Sequence, residues 1–150
     1  MKAAARWRAE IRAASNTDYE RIAAVWSASG THADWTGRES RQAFEQQLHA
    51  FADSYLVAVD GDRVIGAVLG SHDHRKGWIN RLAVLPEYRR RGVAAALIQA
   101  CEEALFRKGL TLVVAHVEPH NAASVQLFKQ LGYRDEFPIL YLRKSMRSDE

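Results

Sequence analysis

The stretch that decides the fold reads Trp78-Ile79-Asn80-Arg81-Leu82-Ala83-Val84-Leu85-Pro86-Glu87-Tyr88-Arg89-Arg90-Arg91-Gly92-Val93-Ala94. Its pattern predicts a strand over residues 78–84 and a helix over residues 93–108, with a cationic turn between them. The first N–H groups of a helix have no intrahelical partner and lie at the positive end of its dipole. Gly92 lets the chain approach a ligand closely, and Ala94 keeps the next turn small. The turn therefore predicts an anion site.

Three consecutive arginines also fit a nucleic-acid patch, a localisation signal or a solvated turn. The context favours the anion site, because an apolar strand precedes the arginines, Pro86 and Tyr88 lie in the turn, and a long amphipathic helix follows. The net charge of +3 is modest for 150 residues. It supports anionic ligands weakly, and we expect no nucleic-acid partner.

Two segments together resemble the GNAT N-acetyltransferase superfamily. Residues 89–94 fit its pattern Arg/Gln-x-x-Gly-x-Gly/Ala, and residues 121–133 resemble its later motif of Asn, a small residue, then Tyr-x-x-x-Gly-Phe or Gly-Tyr. The resemblance is most specific over residues 78–133. It implies acetyl-CoA as co-substrate, with no metal. The implied coenzyme-binding residues are Leu82, Ala83, Val84, Arg89, Arg90, Arg91, Gly92, Val93, Ala94, Ala95, Asn121, Ser124 and Phe128.

The resemblance also implies what these residues do. The pyrophosphate of coenzyme A is held by residues 89–95, and the pantetheine and carbonyl by residues 82–84. Asn121 and Ser124 contact the arm near the thioester, although Asn121 is also an ordinary helix cap. Phe128 departs from the family pattern, which commonly has a tyrosine that protonates the departing thiolate. Water, Tyr133 or Tyr141 are candidates to replace that hydroxyl.

The candidates for the catalytic base are His116 and Glu118, with Asn80 acting through water a weaker one. His116 aligns with a glutamate that several protein N-terminal acetyltransferases use, and imidazole accepts protons near neutral pH. A hydrogen-bonded interior histidine is the alternative. Some relatives place a base at the position of Trp78, which accepts no proton. A metal site at His116, Glu118 and His120 is disfavoured because Pro119 breaks a regular strand.

The remaining elements follow from hydrophobic spacing and turn residues. Thr17 and Glu20 have the spacing of a capping box, and Gly30 is placed to end the helix that follows. The resemblance implies an α/β (α+β) GNAT acyl-CoA N-acyltransferase fold, with a mixed central sheet of about six to seven strands flanked by four helices. The predicted elements are a strand at 11–13, helices near 18–29 and 44–51, a hairpin at 55–59 and 64–69, a strand at 111–117, a helix at 122–131 and two closing strands between 133 and 144.

Composition limits the class of protein. At 47% hydrophobic and 26% charged residues the chain is typical of a soluble globular protein. We expect one acetyltransferase domain over residues 1–150, with residues 1–9 as an N-terminal extension, and no membrane span. The basic start lacks the apolar core of a secretory signal, and the single Cys101 fits a reducing, cytoplasmic location.

The sequence thus predicts an enzyme that transfers an acetyl group from acetyl-CoA to a primary amine by direct attack. The acceptor stays open among a protein N-terminus, a lysine and small-molecule amines. The alternative function is a regulatory module that binds acyl-CoA without turnover, which the loss of a hydroxyl at Phe128 favours. A homodimer is possible because exposed strand edges can pair between chains.

Overall fold

The structure is a computed structural model that describes residues 10–136 and 138–148. These residues form two compact units, and the boundary along the chain falls between His116 and Val117. The unit up to residue 116 contains the sheet and three of the four described α-helices, and the unit from residue 117 contains the fourth. None of the helices described here has the length and apolarity needed to cross a membrane.

A five-stranded mixed sheet, in the order β1-β2-β3-β4-β5, forms the centre of the first unit. Neighbouring strands are antiparallel except β4 and β5, which are parallel because the chain crosses over between them. A two-residue turn at Gly61 and Asp62 joins β2 to β3, as the predicted hairpin requires. The strands are β1 (Glu10–Ala13), β2 (Tyr55–Asp60), β3 (Arg63–His72), β4 (Gly77–Val84) and β5 (Val113–Ala115).

Three α-helices cover this sheet: α1 (Tyr19–Ala28), α2 (Arg41–Ala50) and α3 (Val93–Arg107). Their predicted positions are confirmed. The predicted cap of the first helix is wrong, because Thr17 lies within a short 3-10 turn and α1 begins only at Tyr19. The Ser15 N–H instead donates to the Asp18 carboxylate (2.8 Å), which fixes the chain ahead of the helix.

Helix α3 packs closely against β3 and β4 because glycines leave room for its side chains. A Cβ at Gly70 would lie 2.5 Å from the Sγ atom of Cys101, and one at Gly77 would lie 2.8 Å from Leu105. Cys101 is fully buried at this contact, as the sequence predicted. The first turn of α3 is also close to the end of β4, because a Cβ at Gly66 of β3 would lie 3.3 Å from Val93 and 3.2 Å from the Ala83 carbonyl oxygen.

The unit from residue 117 contains α4 (Ala122–Gln130), which ends before Gly132 as predicted. The two predicted closing strands are absent from the described residues 133–136 and 138–148, so the described sheet has five strands rather than six or seven. A strand requires a hydrogen-bonded neighbour, and the four-residue apolar run after Pro138 pairs with no described strand. The predicted extension at residues 1–9 lies outside the described residues.

Candidate active site

Strands β4 and β5 separate midway along β4. Their register pairs Gly77 with Val113, Trp78 with Val114 and Ile79 with Ala115, and it continues no further in the described sheet. The strand at 111–117 is thus shorter than predicted. The rest of β4, including Leu82, Ala83 and Val84, pairs with β3 alone. An open edge therefore begins just beyond Ile79.

Two backbone amides of β4 point to this open edge. The Leu85 N–H donates to the Ile65 carbonyl of β3 (2.8 Å). Because backbone groups alternate sides along a strand, the N–H groups of Leu82 and Val84 point away from β3. They are placed to donate to an extended ligand or to a carbonyl oxygen that lies along the edge.

A β-bulge at Arg81 and Leu82 follows the part of β4 that pairs with β5. Ala67 faces Ala83 and Leu69 faces Asn80, so Val68 alone lies opposite two β4 residues, Arg81 and Leu82. Arg81 adopts a left-handed backbone with φ of +55°. The extra residue bends β4 and ends its pairing with β5, as bulges near functional sites do. The bulge was not predicted from the sequence, because no residue type at positions 81 and 82 indicates it.

The predicted anion turn precedes α3 directly. Gly92, with φ of +82°, is the N-cap, and the first N–H to bond within the helix is that of Ala96, which donates to the Gly92 carbonyl (3.0 Å). The N–H groups of Val93, Ala94 and Ala95 lie ahead of that bond and point out from the helix end. Arg90 is also left-handed, with φ of +62°. Successive backbone amides in such a turn form an anion-binding concavity.

Aromatic and charged contacts brace the turn. The Tyr88 hydroxyl donates to Asp60 (2.6 Å), and this hydrogen bond raises the pKa of Tyr88. The Arg91 guanidinium lies over the Tyr88 ring at 5.0 Å. Arg89 and Arg90 are exposed. The turn thus carries two solvated cations on a fixed backbone, as anion binding requires.

His116 lies at the point where β4 and β5 separate, because it follows Ala115, the last paired residue of β5. Its ring packs edge-on against Trp78, with centroids 4.9 Å apart, and the side chain is exposed. The interior alternative for His116 is therefore wrong. The Asn80 amide donates to the Ser71 hydroxyl (2.9 Å).

Glu118 lies in the other unit, where its carboxylate is 3.1 Å from His120 and both side chains are exposed. No group of three or more His, Cys, Asp or Glu side chains suited to a metal ion occurs among the described residues.

The later motif forms the start and core of α4. Asn121 is the N-cap, and its side chain accepts from the Ser124 N–H (3.3 Å), so its capping role is present. Phe128 is buried and packs edge-on against Tyr133, with centroids 4.9 Å apart. The Phe128 position contributes packing to α4 and offers no proton.

The open edge and the turn fit the two ends of one ligand. The edge offers the Leu82 and Val84 amides to an extended amide-containing arm, and the turn offers amides and arginines to a pyrophosphate. These are the groups of coenzyme A.

Over residues 13–133 the chain matches the Acetyltransferase (GNAT) family. Acetyltransferase SG1711 of Sodalis glossinidius (strain morsitans) is 30% identical over 141 residues, which are 94% of this chain and 98% of that protein. The chain belongs to the GNAT acetyltransferase family, as the sequence motifs predicted. The co-substrate of this family is acetyl-CoA.

Solved structures confirm the fold. The PaiA N-acetyltransferase of Thermoplasma acidophilum, in complex with coenzyme A, is 21% identical with a TM-score of 0.76, over 85% of this chain and 91% of that one. AAC(6′)-Iy, in complex with the bisubstrate analogue CoA-S-monomethyl-acetylneamine, is 23% identical with a TM-score of 0.76, over 92% and 99% of the two chains.

Proposed function

We propose that the chain is an N-acetyltransferase that transfers the acetyl group of acetyl-CoA to a primary amine by direct attack. The observation that supports this most is the open edge of β4, whose free amides at Leu82 and Val84 lead along the chain to the amides of the α3 N-terminus. Bound acetyl-CoA would supply the acetyl group as a thioester. The residues of this chain bind that thioester, orient it and accept the proton of the amine.

The two groups of amides bind different parts of acetyl-CoA. The turn and first helical residues, 89–95, hold the pyrophosphate, and residues 82–84 hold the arm and the thioester carbonyl. Amides fixed by a strand and a helix need no reorganisation when negative charge develops on a carbonyl oxygen, which is where such donors contribute most. Holding both reactants in place supplies much of the remaining acceleration.

We assign the base to His116. An amine must be neutral to attack, which costs about 1 kcal/mol at pH 7 for an α-amine and about 4.6 kcal/mol for a lysine. His116 is exposed and lies where the two strands separate, whereas Glu118 is paired with His120. An exposed imidazole at the mouth of the open edge can take the proton directly or through one water.

The family motif at residues 121–133 assigns further residues to binding the coenzyme and to the leaving thiolate. Asn121 and Ser124 at the start of α4 would contact the arm, and Phe128 would leave thiolate protonation to water or to a tyrosine such as Tyr133. The family match spans residues on both sides of His116, which supports a single acetyltransferase domain. The aminoglycoside derivative bound by AAC(6′)-Iy makes small polyamines one acceptor class to test.

A binding module without turnover is the second candidate. Phe128 supports it, because this buried phenylalanine lacks the hydroxyl of the tyrosine that commonly protonates the leaving thiolate at this position. Loss of one acid–base partner typically lowers a rate about 10²- to 10⁴-fold, which slows an enzyme without abolishing it. Slow turnover with any amine therefore separates the two candidates.

A thiol-release assay with acetyl-CoA and a panel of amines tests the proposal. The panel contains free amino acids, peptides with a free N-terminus, lysine peptides, polyamines and aminoglycosides. Burial raises the pKa of the Cys101 thiol to about 12, so the protein's own thiol adds little to the signal. The proposal predicts release above the protein-free rate with one amine class, and an N-acetyl product by mass spectrometry. Binding of acetyl-CoA with release from none of them would favour the binding module.

A further inference from the structure

The bulge places Arg81 against the loop of residues 31–40, which connects α1 to α2. Its guanidinium lies over the Trp26 ring at 4.5 Å, and its Nη1 atom donates to the His32 carbonyl (2.8 Å). The side chain is 23% exposed, so one end reaches solvent while most of it is covered. A left-handed arginine is uncommon, and such strained residues cluster at functional sites.

Several hydrogen-bond donors around Arg81 lack acceptors among the described residues. They are buried atoms of three side chains: Nε and Nη2 of Arg81, Nε1 of Trp26 and the hydroxyl of Tyr55. Trp26 is 2% exposed and Tyr55 is 0% exposed. Guanidinium and indole N–H groups only donate, and the phenol hydroxyl can donate. The cluster therefore favours a ligand group that only accepts.

The nearest carboxylate satisfies Arg81 poorly. Glu39 Oε1 lies 3.5 Å from Arg81 Nε, too far for a strong charge-assisted hydrogen bond. The other oxygen, Oε2, accepts from the Asp34 N–H (2.7 Å), so Glu39 is engaged with its own loop. Because Glu39 and His32 both lie on this loop, its movement would uncover the guanidinium for another carboxylate.

We infer that Arg81 binds a carboxylate of the acceptor, and that the acceptor is a small amine with a carboxylate in the same molecule, as in a free amino acid. This inference rests on the proposed acetyl transfer. Arg81 directly precedes Leu82, whose amide faces the open edge, and an acceptor held by Arg81 would present its amine to the carbonyl bound along that edge. The loop of residues 31–40 covers the guanidinium in the free protein, and the acceptor's carboxylate takes the place of Glu39.

The test compares free amino acids with their own carboxamides as acceptors, in the wild type and in two variants. For each protein, kcat/KM with the free amino acid is divided by kcat/KM with its carboxamide, and this ratio is compared with that of the wild type. The comparison with wild type cancels the difference between the two amines, since the amine of a carboxamide is more often neutral. Arg81→Gln is expected to lower this ratio about 10- to 100-fold, which is the factor that loss of a hydrogen bond to a charged group typically produces. Glu39→Gln, which removes the competing charge, is expected to keep the ratio or raise it.

Calorimetry with acetyl-CoA shows whether each variant keeps its coenzyme site. An Arg81→Gln variant that binds acetyl-CoA normally and retains the wild-type ratio would overturn the inference. A ratio that falls in Glu39→Gln but not in Arg81→Gln would also overturn it. If Arg81→Gln does not fold, the wild-type protein decides. With coenzyme A present, the NMR signal of the Trp26 indole N–H is expected to shift with free amino acids and to remain unchanged with carboxamides. A shift of equal size with both would overturn the inference.

Failure of the proposed function has a different signature. If no amine is acetylated while the Trp26 signal responds to carboxylates, the carboxylate site stands and the acetyl transfer fails. If amines are acetylated without preference for a carboxylate, the transfer stands and Arg81 has no role in acceptor selection.

Discussion

Gly92 and Gly109 lie at opposite ends of α3 with the same left-handed backbone, at φ of +82° and +86°. Apart from its two chain neighbours, a Cβ at either glycine would meet no atom within 4 Å. Their difference is one of function, because Gly92 shapes the anion turn and Gly109 ends the helix on the far side. They form a matched pair for testing the coenzyme site.

Replacing either glycine with alanine is expected to lower the free energy of unfolding by about 1 kcal/mol, because an alanine in this conformation is strained. Only Gly92→Ala is expected to weaken acetyl-CoA binding, by about tenfold, since its backbone amides are displaced. Calorimetric titration and urea denaturation of both variants check this. Equal weakening of coenzyme binding in the two variants would contradict the role given to the turn.

His116→Gln is expected to lower kcat/KM about 10²-fold or more, because it removes the proposed base from the mouth of the open edge. Acetyl-CoA affinity should not change. Glu118→Gln is the matched control, since its exposed carboxylate pairs with His120 and its loss is expected to change kcat/KM less than threefold. A larger loss in Glu118→Gln than in His116→Gln, measured by thiol release, would reverse the assignment.

Gly70→Ala is expected to destabilise the fold by about 1–3 kcal/mol, because the added Cβ would lie 2.5 Å from Cys101 Sγ and α3 must shift. In a Cys101→Ala background the loss should be smaller, although Ser54 still crowds the site at 3.0 Å. Urea denaturation of the four proteins in this double-mutant cycle measures the coupling. Strictly additive effects would show that the two residues are not in contact.

Asp18 predicts a pH dependence of stability. Arg12 donates two hydrogen bonds to this buried carboxylate, at 2.7 and 2.9 Å, and they hold the pKa of Asp18 below its usual value. A carboxylate with a depressed folded-state pKa stabilises the protein above its unfolded-state pKa, near 4. That contribution is lost as the pH falls through the lower folded-state pKa.

Asp18→Asn is therefore expected to cost about 1–3 kcal/mol of unfolding free energy at pH 7, a difference that shrinks below about pH 4. Urea denaturation across pH 2–7 measures it. Glu20→Gln is the control, because Glu20 pairs with Arg41 on the surface and an exposed pair contributes about 0–1 kcal/mol. A difference between wild type and Asp18→Asn that stays constant down to pH 2 would contradict the account.

The elements with strong local signals were predictable from the sequence. Helical spacing with Gly30, Gly109 and Gly132 at the ends placed α1, α3 and α4, and the apolar run before the arginines placed β4. The bulge at Arg81 could not be predicted, because it depends on the register between β3 and β4. The early end of β5 has the same origin, since β-branched residues over 111–117 read as strand whether or not a partner is present.

The candidate site was also predictable only where its signal is local in the sequence. The arginine turn has a local motif, and the sequence predicted an anion site there. The Arg81 cluster joins residues from α1, a loop, β2 and β4, so no spacing in the sequence indicates it.

Calorimetric titration of acetyl-CoA into the full chain tests the central claim most directly. The turn before α3 and the open edge of β4 predict saturable binding at one site per chain, and the affinity should be lower in Gly92→Ala and unchanged in Gly109→Ala. Absence of binding by the folded wild-type protein would contradict the coenzyme site and, with it, the proposed acetyl transfer.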